Sequence, residues 1–160
     1  MQGWHQMERF SFKTIFSRKS GFRERRAQIR NNRQSGATIL VVDDSKTIVF
    51  TLKKLLEQDG YNTLVASNGL EAINLAKKED PDLILMDVIM PGINGFRATR
   101  IIKNNENTAD IPIIMMSGDN QAMQEFWVNK IGAKDFLNKP FKRGDIFTKI
   151  ERCIRPAQAA

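Results

Sequence analysis

From residue 37 onward, short runs of β-forming apolar residues alternate with longer stretches in which apolar positions recur every three or four residues. The first run, Thr38 to Val42, leads into a helix that begins after Asp44, places Ile48, Leu52, Leu55 and Leu56 on one face, and stops at Gly60. A second run, Thr63 to Ala66, is followed by an Asn68-Gly69 turn and a helix carrying Ala72, Ile73 and Ala76, which Asp80-Pro81 ends. A third run covers Leu83 to Met86. Pro91-Gly92 and Asn94-Gly95 then form a loop before a helix reaching about Ile102. A fourth run from Ile111 ends at Ser117, and a helix from about Gln121 to Lys130 is capped by Gly132. The last run is Asp135 to Leu137, and a final helix spans Arg143 to Ile154. Near-continuous apolar strands separated by amphipathic helices predict an α/β domain, with a parallel sheet wrapped by helices in five β/α units.

Polar residues stand where these runs stop. Asp43 and Asp44 follow the first strand, Asp87 the third, Ser117 the fourth and Lys139 the fifth. If the strands are parallel neighbours, all five residues meet at the carboxyl edge of the sheet, where open α/β folds bind ligands. Clustered carboxylates repel one another and call for a cation. An oxygen-only donor set selects a hard ion, Mg2+ or the similar Mn2+, which pairs protein carboxylates with water and phosphate oxygens. Asp87 could then attack phosphorus to form an acyl phosphate. The Lys139 ammonium and the Ser117 hydroxyl would balance charge on the phosphoryl oxygens. Each residue also has an ordinary structural explanation: Asp44 or Ser45 as a helix N-cap, Asp87 as a solvated carboxylate, Ser117 as a turn residue, Lys139 as a surface charge. Four strand ends offering such complementary groups together weigh against those separate explanations.

Larger segments now stand out: Val41-Val42-Asp43-Asp44-Ser45, Met86-Asp87-Val88-Ile89-Met90-Pro91-Gly92, Asn94-Gly95, Ile114-Met115-Met116-Ser117-Gly118, and Gly132 through Phe141. In these segments and their spacing the chain resembles the receiver domain of two-component response regulators. The likeness runs from about Thr38 to Ile154. It implies a flavodoxin-like (βα)5 doubly wound sheet with strand order 2-1-3-4-5. It also implies Asp87 as phosphoacceptor, and a Mg2+ site formed by Asp43, Asp44, Asp87 and the backbone carbonyl of Ile89. Ser117 and Lys139 would contact the phosphoryl group, and Lys139-Pro140 would be a cis peptide. Ser117 and Phe136 would form a switch, the hydroxyl moving toward the phosphate and the ring turning inward. That motion would change the face built by the fourth predicted helix, the fifth strand and the last helix, where a downstream protein would bind. Phe136 replaces the family's usual Tyr and removes its terminal hydrogen bond. Ile89 places a large apolar side chain where many relatives carry a polar one, which suggests that it hinders the attacking water.

Composition narrows the role. Of 25 Lys and Arg residues in 160, nine lie in residues 1–36 beside only Glu8 and Glu24, so the net charge of +7 belongs to this segment. We therefore divide the chain into a basic extension, 1–36, read as a flexible arm; a receiver domain, 37–155; and a tail, 156–160. The extension mixes Phe10, Phe12, Phe16 and Phe22 with basic residues, a composition suited to nucleic acid or an anionic membrane. The single Cys153 sits among Ile146, Ile150 and Ile154 at helical spacing and reads as a core residue. No run reaches about 18 consecutive apolar residues, so a cytoplasmic location is expected.

His5, the only histidine, is no plausible phosphodonor, so the phosphate must come from a separate histidine kinase or a small-molecule donor. Six residues after Ile154 leave no room for a C-terminal output domain, so output is expected through the receiver surface or the arm. Trp127, beside Phe126 and Met123, is either a contact anchor or core packing. The expected function is a phosphoacceptor switch rather than an enzyme. The Asn94 to Arg100 segment and Phe126-Trp127 are similar to single-domain regulators of type IV pilus twitching motility in chemotaxis-like systems. A phosphate sink or relay intermediate is the alternative, as is a regulator whose basic arm binds nucleic acid or membrane. An aspartyl-phosphate hydrolase is disfavoured because Val88-Ile89 follows Asp87, without an Asp two residues on. No phosphate-binding glycine loop supports a nucleotide enzyme.

Overall fold

The computed structural model of the protein describes residues 36–118 and 130–154. The basic arm, the helix predicted between Gln121 and Lys130 apart from its last residue, Trp127 with Phe126 and Met123, and the C-terminal tail lie outside the described residues. Five strands, β1 (Thr38–Val42), β2 (Asn62–Ala66), β3 (Leu83–Asp87), β4 (Ile113–Ser117) and β5 (Asp135–Asn138), alternate with helices. Among the described residues these are α1 (Lys46–Gln58), α2 (Gly69–Glu79), α3 (Gly95–Asn104) and α4 (Arg143–Ile154). All strand pairs are parallel, in the order β2-β1-β3-β4-β5. This is the expected flavodoxin-like order.

The unbroken apolar runs are explained by burial on both faces of the sheet. Successive side chains of a strand point to opposite sides. Leu40, Val42, Ile84, Met86, Ile113 and Met115 therefore pack with Ala72, Ile73 and Ala76 of α2 and Ala98 and Ile102 of α3. Ile39, Val41, Leu83, Leu85, Ile114 and Met116 pack on the other side with Leu52 and Leu56 of α1 and Ile146 and Ile150 of α4. Cys153, expected as a core residue, is half-buried and packs against this second cluster. No described helix is long and apolar enough to cross a membrane.

The helix boundaries follow local chemistry. Ser45, Asn68 and Asn94 are N-caps with extended backbones, and their side-chain oxygens accept from the backbone N–H three residues on. Of the two candidates for the first cap, Ser45 holds the position, which leaves the exposed Asp44 carboxylate outside the helix. Helix α2 ends as Asp80 turns into the left-handed region at φ 45°. Predicted boundaries among the described residues move by one or two residues. Strand β2 begins at Asn62, and β4 begins only at Ile113 because Pro112 has no N–H to donate to a ladder.

Candidate functional site

Parallel register brings the strand-end residues together. Val42 is level with Met86, Asp87 with Met116, and Ser117 with Asn138. Asp43 and Asp87 thus follow one another across the β1–β3 gap. This is where the chain reverses direction across the sheet, since β1 lies between β2 and β3. In doubly wound folds that switch point is the natural ligand crevice. Backbone bonds fix the edge: Asp43 N–H donates to the Ala66 carbonyl at 3.1 Å, Val88 N–H to Met116 at 2.9 Å, and Lys139 N–H to Ser117 at 2.8 Å.

Asp43, Asp44 and Asp87 each present a carboxylate oxygen within 4.8 Å of the others. Asp43 and Asp87 are buried, at 2% and 5% exposure, whereas Asp44 is open to solvent. Asp43 Oδ1 accepts from the Ser45 backbone N–H at 2.9 Å, an Asx turn that holds one oxygen in place and leaves the other facing the cluster. Asp87 is the last residue of its strand. Ser117, the last residue of β4, is buried beside it at 6% exposure.

Lys139 supplies the counter-charge. It follows the edge strand β5, two strands from β3 and three from β1. Its four-carbon stem reaches back so that Nζ lies 2.7 Å from Asp43 Oδ2 and 2.9 Å from Asp87 Oδ1. The Lys139-Pro140 peptide is cis, as expected. The sequence indicates a phosphate contact for this lysine; the structure adds a double ion pair to the two buried carboxylates.

The electrostatics reflect that geometry. Burial raises the Asp87 carboxyl above its ordinary value, the hydrogen bond from Lys139 opposes this, and the charges of Asp43 and Asp44 raise it further. For Lys139, burial alone would lower the ammonium. The hydrogen bonds and charges of Asp43 and Asp87 outweigh that, and its pKa stands above the ordinary lysine value. One ammonium faces three carboxylates, so the pocket holds an excess of negative charge. With oxygen donors only, the residues fit a hard divalent cation of the Mg2+ type.

Ile89 and Phe136, the two positions that depart from the family's usual residues, differ in exposure. The Ile89 side chain is 71% exposed and does not join the core. Phe136, on β5, is half-buried and packs against the cluster formed with α2 and α3. Its N–H donates to Asp135 Oδ1 at 2.7 Å, and the same oxygen pairs with Lys149 Nζ of α4 at 2.7 Å. The pairing of Asp135 with Lys149 ties the strand carrying Phe136 to the last helix. Sequence reading does not find it, because the partners are 14 residues apart on different elements.

Residues 39–151 match the family model described as the response regulator receiver domain. The chain is 43% identical over 104 residues to protein PilH of Pseudomonas aeruginosa, covering 65% of this chain and 86% of that one. Among solved structures it is similar to the chemotaxis protein CheY4 of Vibrio cholerae, with 29% identity, a TM-score of 0.70, and coverage of 74% of this chain and 98% of that one. It is also similar to the receiver domain of a sensor histidine kinase from P. aeruginosa PAO1, with 31% identity, a TM-score of 0.69 and coverage of 74% and 98%. That domain is described with a magnesium ion coordinated in its active-site cleft.

Proposed function

The chain belongs to the response regulator receiver family, and from that premise we propose that it is a phosphoacceptor switch rather than an enzyme acting on a separate substrate. An Asp87 carboxylate oxygen attacks phosphorus of a phosphohistidine on a kinase, or of a small acyl phosphate. The P–N or P–O bond to the donor breaks, and the leaving imidazole or carboxylate departs with the bonding pair. The product is an acyl phosphate on Asp87.

The observation that carries this reading is the position of Lys139 Nζ, which bonds Asp43 and Asp87 at once on the floor of the pocket. An ammonium in that position opposes the burial that raises the Asp87 carboxyl and so favours the ionised form needed for attack. It is also close enough to follow the charge onto a transferred phosphoryl oxygen. Ser117, buried at the neighbouring strand end, offers its hydroxyl to a second oxygen. Asp43, Asp44, Asp87 and the Ile89 carbonyl are the groups that would hold Mg2+, which supplies charge neutralisation and alignment of the phosphoryl oxygens.

Phe136 packs against the cluster formed with α2 and α3 and stands level with Met115, two residues before Ser117 on the neighbouring strand; movement of Ser117 toward a phosphate would free space for the ring. In this reading the changed surface around β5 and α4 is what a downstream protein recognises. Similarity to PilH and to a chemotaxis protein supports a chemotaxis-like or twitching-motility pathway in the cytoplasm, with a histidine kinase of such a system as donor. Incubation with acetyl phosphate and Mg2+, followed by intact-protein mass measurement, tests the chemistry. One phosphoryl adduct is expected, absent when Mg2+ is chelated. An adduct that persists in Asp87→Ala defeats the reading.

A further inference from the structure

Two helices that pack on the same face of the sheet begin with the same dipeptide, Asn68-Gly69 in α2 and Asn94-Gly95 in α3. Asn–Gly commonly signals a turn that needs positive φ, yet neither glycine is among those with positive φ, which are Gly36, Gly60, Gly92 and Gly132. What both positions require is space. A Cβ on Gly95 would lie 1.9 Å from the carbonyl oxygen of Asp87, 2.8 Å from its carbonyl carbon and 3.0 Å from Val88 Cα. A Cβ on Gly69 would lie 2.4 Å from the carbonyl oxygen of Ile93 and 2.9 Å from its Cγ2. The closest atoms are backbone and cannot rotate away.

These contacts fall at the two ends of one segment. Gly95 lies close against its first residue, the phosphoacceptor, and Gly69 against its last, Ile93. Gly95 N–H donates to the Val88 carbonyl at 3.0 Å, which ties the start of α3 to the segment. Asn68 Oδ1 accepts from Glu71 N–H and Asn94 Oδ1 from Arg97 N–H, both at 2.9 Å, and these bonds fix the first turn of each helix. We propose that Gly69 and Gly95 form a two-point clamp on residues 87–93, and that Gly95 is a positioning residue setting where the Asp87 carboxylate and the following loop stand. The clamp concerns the site assigned above and rests on the phosphoacceptor reading.

Restoring ordinary van der Waals contact in Gly95→Ala requires α3 and the end of β3 to separate by more than about 1 Å, a displacement on the order of that which costs about 100-fold in rate at a reacting group. The test measures acetyl phosphate labelling per folded molecule, with the folded fraction taken from circular dichroism, and Mn2+ affinity by electron paramagnetic resonance. Gly95→Ala should label about 100-fold more slowly, and Gly69→Ala, which acts at the far end of the segment, about tenfold more slowly. Both should bind Mn2+ more weakly. Gly144→Ala, at an exposed α4 position with nothing within 4 Å, should match the parent in both. Folded Gly95→Ala that labels and binds Mn2+ like the parent overturns the clamp. Should that variant not fold, the same result in Gly69→Ala overturns it. A parent that binds Mn2+ but takes no label sinks the phosphoacceptor reading instead, and the Mn2+ arm still decides the clamp.

Discussion

Replacing Lys139 with Met keeps most of the stem and removes the only charge that faces Asp43 and Asp87 at hydrogen-bond distance among the described contacts, 2.7 and 2.9 Å away. The side chains of Asp43 and Asp87 are 1% and 7% exposed, so both become buried carboxylates without a cation. Removing one partner of a fully buried pair costs about 3–5 kcal/mol. Here the lysine itself is 22% exposed and Asp44 opens the pocket to water, so a discounted value below that range, about 2–3 kcal/mol, is appropriate. For a domain of this size that is a fall in Tm of roughly 10 °C. The pH dependence carries a sign. In the parent, burial already holds the Asp87 carboxyl above its ordinary value, with the Lys139 hydrogen bond opposing; losing that bond raises it further. A carboxyl whose folded-state pKa is raised binds its proton more tightly folded than unfolded. Its effect on stability therefore turns unfavourable as pH rises from the ordinary carboxylate range through the raised pKa. The deficit of Lys139→Met should be largest at neutral pH, shrink toward acid, and shrink again at neutral pH when Mg2+ is added. Thermal unfolding followed by circular dichroism, across pH and with or without Mg2+, reads all three. A loss of stability independent of pH and of Mg2+ would show that Lys139 acts through packing of its stem, and the electrostatic account would fail.

Three other perturbations have definite expectations. Ile89→Asn exchanges a 71%-exposed apolar side chain beside the phosphoacceptor for one that can orient water, so loss of phosphate from the labelled protein should speed up; an unchanged or slower rate rules out shielding by Ile89. Asp82, 6% exposed, accepts from Thr38 N–H at 2.8 Å while its own N–H donates to the Thr38 carbonyl, also at 2.8 Å. Asp82→Ala should therefore cost roughly 1–3 kcal/mol in urea unfolding while Asp82→Asn, which keeps an acceptor, costs less. Burial pushes the Cys153 thiol up, with Asp135 adding to the effect, so alkylation by iodoacetamide near neutral pH should be much slower than for a free thiol; a rate equal to that of free cysteine contradicts its packing.

The apolar runs and their punctuation made most of the fold legible. Burial on both faces writes each parallel strand as an unbroken run, and Ser45, Asn68 and Asn94 mark helix starts through local hydrogen bonds that need no tertiary partner. Helix α4 falls at Arg143–Ile154, as its apolar spacing predicts. The strand-end positions of Asp43, Asp87, Ser117 and Lys139 were legible for the same reason, because each closes a run. Which of them touch was not. The reach of Lys139 across the sheet to Asp43 depends on strand order and register, which the residue pattern alone leaves open, and the two residues are 96 apart. Asp82 has no distinguishing signal in the residue pattern, and only the pairing of β1 with β3 reveals it as an acceptor for Thr38. Gly69 and Gly95 carry a turn signature whose usual cause, positive φ, is not the operative one. Close approach of two backbones leaves the same residue type in the sequence as a turn does.

The central claim is that the phosphoryl group goes to Asp87 and to no other carboxylate of the cluster. Borohydride reduction of the protein labelled by acetyl phosphate and Mg2+ converts an aspartyl phosphate to homoserine, and peptide mass spectrometry locates the converted residue. Homoserine at position 87 alone, and none in protein treated without Mg2+, is the expected result. Homoserine at position 43 or 44, or no conversion in a fully folded, Mg2+-loaded protein, contradicts the account.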